Sequence, residues 1–205
     1  QKRQIGGFDM NERYARERAK VELAMRMIEY EARTNTIRRC TGLSDDRIRK
    51  ICTQYFSGRN GEPLRRRRGK SPQQIARFVK NASHQFEATT LMHLFIVYGL
   101  MVRHADQRLT HAWPTPDVRF GQRLCNAFAA YRVIHRESLF SFEWAWNLLH
   151  ALARDEELAV ANCGRCDTEY LYDRYALDFH VCPACEIRTE RRRRPGARHY
   201  IDTAR

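Results

Sequence analysis

The stretch that most constrains this chain is CGRCDTEYLYDRYALDFHVCPAC, from Cys163 to Cys185. It holds two Cys-x-x-Cys pairs separated by fifteen residues. Each short loop lets two thiolates point at one ion, and two such loops complete a closed tetrahedron. Gly164 and Pro183 help the backbone turn within the pairs, and LAVAN, TEYLY and DFHV read as short strands around them. The expectation is a small zinc-ribbon-like module over residues 158–186. Cys163, Cys166, Cys182 and Cys185 are its candidate ligands for one structural, tetrahedral Zn2+. Two disulfides, or free thiols of a redox motif, are the competing readings of the same four residues.

A catalytic zinc keeps an open coordination position, and four thiolates leave none, so this ion would hold shape. His135-Arg136-Glu137 followed by a Cys-x-x-Cys approximates the zinc-deaminase pattern. There the proline precedes the first cysteine, whereas Pro183 lies inside the pair, and that reading leaves Cys163 and Cys166 unexplained. Glycine-rich phosphate loops, serine elbows and metalloprotease His-Glu motifs are missing from the sequence. The expectation is a protein that is not an enzyme. Of seven cysteines, Cys40, Cys52 and Cys125 fall on helix stripes and read as packing residues.

The rest of the chain reads as mainly helical, with apolar residues at 43%, enough for a core. Residues 1–20 form a polar arm or the start of a first helix, whose apolar face is Val21, Leu23, Ala24, Met27 and Ile28. In the segment 21–58, Ile37 and Cys40 precede Thr41-Gly42, the end of a short helix with a left-handed glycine cap. Ser44 then caps a second helix, with Asp45 and Asp46 at its positive end and Ile48, Ile51, Cys52 and Tyr55 as its stripe. Helix, glycine turn and helix make a helix-turn-helix-like unit. Arg47, Arg49, Lys50 and Thr53 lie on its more open side, although Asp45 and Asp46 would repel phosphate at the tip.

Residues 59–72 are an arginine-rich linker. Over 73–157 three helices form a core and a partner interface, namely Gln73 to Val102 with a break near Asn81–Ser83, one carrying Phe120, Leu124, Ala127, Phe128 and Tyr131, and one from about Ser141 to Arg154. The last has Phe142, Trp144, Ala145, Leu148, Leu149 and Leu152 inward. Apolar residues wrap much of these helices, so part of that surface is expected to meet another subunit. Residues 187–205 are a basic tail.

Lys and Arg number 37 against 24 Asp and Glu, a net charge of +13 carried almost wholly by arginine. Arginine's fork suits phosphate, so a polyanion is the expected partner and an anionic membrane surface the second choice. The phosphate-contact candidates are Arg65, Arg66, Arg67, Arg68 and Lys70 in the linker and Arg191, Arg192, Arg193 and Arg194 in the tail, with Arg47, Arg49 and Lys50 beside them. An RNA- or single-strand-binding module, with Tyr170, Tyr172 and Tyr175 as stacking platforms, is the alternative. The most apolar run, LMHLFIVYGLMV from Leu91 to Val102, is too short to cross a bilayer and reads as a buried helix. With no signal-peptide pattern ahead of it, a reducing cytoplasm and metal-bound thiols are expected.

FEWAWNLLHAL, then CGRC and VCPAC, then a basic tail resemble the FlhC family of bacterial flagellar transcriptional activator subunits. The likeness extends from the helix pair around Ile37 to Ile51 through the cysteines. It implies zinc on Cys163, Cys166, Cys182 and Cys185, assembly with FlhD into a heterohexamer, binding to double-stranded promoter DNA of flagellar operons, and activation of transcription through RNA polymerase in a bacterial cytoplasm. Where the family carries a proline-rich, Leu-Pro-Phe-containing linker, this chain reads GEPLRRRRGKSPQQIARF.

Overall fold

A computed structural model describes residues 5–56, 74–177 and 180–193, with the side chains of 5–10 and 190–193 outside the description. The architecture is mainly α-helical, with a C-terminal cysteine cluster on a small two-stranded sheet. Helix α1 spans Ile5–Glu29, so the polar N-terminal residues continue the first helix from Ile5 onward. Leu23, Ala24, Met27 and Ile28 are buried on one of its faces. The short helix α2, Thr34–Thr41, and α3, Asp45–Phe56, pack on α1.

The turn between α2 and α3 has the chemistry its sequence requires. Gly42 sits at φ 70 and donates its N–H to the Arg38 carbonyl at 2.8 Å. That left-handed conformation is open to glycine without steric cost. Ser44 Oγ accepts from the Arg47 N–H at 3.3 Å, capping α3. Ile48 and Ile51 point inward as expected, but Tyr55 does not. It is exposed, and the adjacent Phe56, one helical step further round, is buried.

A 3-10 turn, Ile75–Val79, leads to α4, Ala82–Val97. The expected break is real: Asn81 Oδ1 accepts from the His84 N–H at 3.0 Å and starts α4. The expected continuation to Val102 is not. Gly99 at φ 64 donates to Ile96 and Leu100 donates to Phe95, the paired bonds of a Schellman stop. Strand β1, Met101–Arg103, then pairs antiparallel with β2, Leu109–His111.

Helix α5, Val118–Ile134, begins at Asp117, whose carboxylate accepts from the Phe120 N–H at 2.8 Å. Its inward residues Phe120, Leu124, Ala127, Phe128 and Tyr131 are buried, as are Phe142, Ala145, Leu148, Leu149 and Leu152 of α6, Phe142–Arg154. Trp144 is half-buried. Cys40 and Cys125 lie in the core and Cys52 at its edge. None of the helices among the described residues is long and apolar enough to cross a membrane.

Two carboxylates are buried and fully engaged. Glu87 on α4 receives the Tyr131 hydroxyl and the Leu139 N–H, the latter at 2.9 Å. The same tyrosine oxygen accepts from the Phe140 N–H at 3.1 Å, and His135 Nδ1 lies 3.8 Å from Glu87 Oε1. Glu143 on α6 accepts from the Arg33 N–H at 2.7 Å and so ties the α1–α2 corner to α6. Each satisfies a backbone donor that would otherwise be stranded where the chain turns.

Candidate metal centre and basic surfaces

Strand β3, Leu158–Asn162, and β4, Glu169–Asp173, form an antiparallel hairpin whose tip is the first Cys-x-x-Cys. The tip is tight: Cys163 N–H donates to the Thr168 carbonyl at 3.0 Å, and Asp167 N–H to the Cys163 carbonyl at 2.9 Å. Gly164 N–H reaches across to the His180 carbonyl at 3.0 Å. A Cβ at Gly164 would stand 3.3 Å from that oxygen, so glycine permits the close crossing.

The second pair differs from the ribbon expectation. Instead of following a strand, Cys182 stands at the start of α7, Pro183–Arg193, and Cys185 lies in its first turn. Glu186 N–H donates to the Cys182 carbonyl at 3.1 Å, which makes Pro183 the first helical residue, where a missing N–H costs nothing. His180 and Val181 are not in a strand, while Asp178 and Phe179 are outside the described residues. The helix N-terminus adds positive potential where thiolate charge would gather.

The four Sγ atoms all lie within 4.8 Å of one another, with Cys166 and Cys182 3.6 Å apart. A zinc–sulfur bond of about 2.3 Å gives tetrahedral S–S edges of roughly 3.8 Å, so the donor set fits one metal ion held by four thiolates with little adjustment. Backbone N–H groups already face the sulfurs, from Cys182 and Arg165 to Cys163 Sγ at 3.3 and 3.4 Å, and from Cys185 to Cys182 Sγ at 3.5 Å. Burial pushes the Cys163 thiol up, but the N–H groups of Cys182, Arg165 and Cys166 outweigh it and bring its pKa down to about 6. Cys182 is pushed up to about 12 by burial, with its contacts to Cys166 and Cys163 adding to this against the Cys185 N–H. Thiols this close cannot all ionise alone, and a bound cation would reverse that for the whole set.

The hairpin is fastened to the helical core through α4. Leu158 and Leu171 belong to the main core, while Tyr170 joins Cys163 and Cys182 in a small cluster of its own. Leu171 N–H donates to Thr89 Oγ1 at 3.1 Å, and its carbonyl accepts from Gln85 Nε2 at 2.8 Å. Arg103 pairs with Glu169 beside them. Side chains of α4 thus satisfy the outer edge of β4, which an isolated hairpin would leave open. Nothing in the local sequence announces this clamp, because Gln85 and Thr89 lie 86 and 82 residues from Leu171.

Of the proposed stacking tyrosines, Tyr170 is buried, Tyr172 half-buried and Tyr175 exposed, so they do not form a common platform. His135 contacts Thr90 and Glu87, and the one group of three or more metal-type ligands among the described residues is the cysteine tetrad. Arg47, Arg49 and Lys50 are exposed on α3. Arg49 pairs with Asp46 at 3.0 Å, and Arg38 on α2 lies 3.8 Å from Asp45, so the acidic tip is largely neutralised. Arg65 to Arg68, Lys70 and Arg194 fall outside the described residues, and Arg191 to Arg193 are placed by backbone alone at the end of α7. The sequence reading missed Arg39 and Arg123, which stack over Trp146 and Trp113. No model of a known family and no curated protein matches the chain.

Proposed function

We propose that this protein is a DNA-binding subunit of a transcriptional activator, with one structural Zn2+ on Cys163, Cys166, Cys182 and Cys185. The observation that carries the DNA reading is the α2–Gly42–α3 turn, which presents Arg47 and Lys50 to solvent on a helix whose opposite face is buried. A net charge of +13 supplies the sequence-independent attraction to phosphate. The metal, when bound, joins the hairpin tip to the start of α7 and so sets where that basic helix leaves the body; it has no open position for chemistry.

The sequence resemblance extends the proposal to FlhD as the obligate partner in a heterohexamer, to promoters of flagellar operons as the target, and to RNA polymerase as the machinery recruited. Exposed apolar side chains on the middle helices and the loop after α5, Phe86, Val133, Ile134 and Leu139, support a partner subunit there. The test is binding to a flagellar promoter fragment at two salt concentrations, with and without co-purified FlhD. Salt-sensitive, sequence-specific binding that needs FlhD supports the reading. Equal binding to any duplex with or without FlhD rejects the promoter-specific activator.

A further inference from the structure

Three arginines on the described surface are held against indole rings: Arg77 lies 5.0 Å from the centre of the Trp144 ring, and Arg39 and Arg123 meet two others. The guanidinium of Arg39, on α2, lies 5.4 Å from the centre of the Trp146 ring on α6. That of Arg123, on α5, lies 5.5 Å from the Trp113 ring and also donates to the Tyr98 carbonyl at 2.8 Å. Both residues are exposed.

The two stacks belong to one packed junction. Phe120, just under one helical turn before Arg123, meets the Trp146 ring edge-on at 6.0 Å. His150 packs on Trp146 at 4.4 Å, and its Nδ1 is 3.0 Å from Nε2 of His111, which closes the strand leading to Trp113. Among the described residues neither guanidinium is paired with a carboxylate. Asp45 lies 3.8 Å from Arg38, Asp106 pairs with Arg108, and Asp117 accepts from the Phe120 N–H.

An exposed arginine samples many rotamers, and ordering it on a ligand costs side-chain entropy. Cation–π attraction to an indole removes part of that freedom in advance, and the guanidinium N–H groups not used within the protein stay available for phosphate oxygens. The position is equally specific. In helix-turn-helix docking the second helix enters the groove while the first crosses the phosphate backbone, and Arg39 lies on the first helix of this pair. We infer that Arg39 and Arg123 form a preorganised clamp for the sugar–phosphate backbone of a DNA duplex, alongside the α3 contacts. This inference rests on the duplex-binding reading above.

The experiment measures fluorescence anisotropy of a labelled mixed-sequence duplex with the full chain, co-purified with FlhD, between about 50 and 200 mM salt. Losing one phosphate contact lowers the slope of log K against log salt by about 0.9, so Arg39→Gln with Arg123→Gln should lower it by about 1.8, whatever the sequence. Arg39→Lys keeps the charge but not the fork, so it should retain most of the slope and lose several-fold in affinity. Because Arg123 also supports the Tyr98 carbonyl, Arg39→Gln alone provides the decisive single variant. An unchanged slope in Arg39→Gln, with a reduced one in Arg47→Gln/Lys50→Gln, overturns the clamp and leaves the duplex reading standing. Failure of the unmodified chain with FlhD to bind duplex at any salt, including binding to phosphatidylserine vesicles in its place, overturns both.

Discussion

Replacing Thr89 by Val tests how the metal module is held on the helical core. Thr89 is 7% exposed, and its Oγ1 is the acceptor for the Leu171 N–H at 3.1 Å. Valine keeps the branched shape and removes the acceptor, so a buried N–H on β4 loses its partner. An orphaned buried donor costs about 1–3 kcal/mol, which sets the expected loss near 2 kcal/mol. Gln85→Leu strips the other half of the clamp, the 2.8 Å bond to the Leu171 carbonyl, at a half-buried site and should cost about 1 kcal/mol. Both bonds end on one residue, so the double variant should fall short of the sum. Urea unfolding followed by circular dichroism would show the midpoint falling with an unchanged slope. Amide exchange would show Leu171 losing protection while the Phe95 and Leu124 amides keep theirs until global unfolding. A Thr89→Val change below about 0.5 kcal/mol, with Leu171 still protected, would refute the idea that α4 supplies the missing edge of β4.

Three further outcomes follow from other sites. Gly121→Ala places a Cβ 2.6 Å from Leu23 Cδ2 and 3.0 Å from Cys40 Cβ, and overpacking of about 1–3 kcal/mol should exceed the roughly 1 kcal/mol gain in helix propensity; a raised melting temperature would show that Leu23 moves aside. Burial, followed by His111, Arg39 and Arg154, lowers the pKa of His150 to about 4, so the folded state resists a proton that the unfolded chain accepts. Stability is therefore full above the unfolded value near 6.5 and is lost as pH falls from there to about 4, by on the order of 2–3 kcal/mol. His150→Phe should flatten that part of the pH–stability curve, and a curve unchanged by the substitution would deny the buried imidazole its role. Metal analysis of purified protein should give one zinc per chain, and chelation should free the hairpin tip and the start of α7 to exchange and proteolysis. The Leu158 and Leu171 amides should stay protected by the main core, and loss of the whole fold would show that the metal supports more than its own module.

The four-cysteine cluster was legible because its requirement is local. Two short loops of fixed spacing bring four sulfurs to one point, and four thiolates can close a tetrahedron around one ion. The same is true of the Gly42 turn, the Ser44 cap, the break near Asn81 and the apolar faces of α1, α5 and α6, each set by residues within a helical turn or two. Where the sequence ran out, distant residues made the decision. The apolar character of the run Leu91 to Val102 carries straight through the point where the helix ends. The stop at Val97 comes from Gly99 at φ 64, held by Trp113 Nε1 donating to the Gly99 carbonyl at 3.0 Å and by Arg123 on Tyr98. That stop turns Met101–Arg103 into a strand.

Tyr55 and Phe56 compete for one buried place, and which of them fills it depends on how α3 rotates against its neighbours. The burial of Glu87 and Glu143, the clamp on Leu171 and the stacked Arg39 and Arg123 all rest on partners on other elements, up to 110 residues away. Sequence alone therefore determined the cysteine cluster, the Gly42 and Ser44 caps and the helical class, which depend on bond geometry and short-range backbone chemistry. Only the tertiary structure decided where the metal module docks and which cations are held ready at the surface, because those depend on polar groups finding one another once the chain has closed on itself.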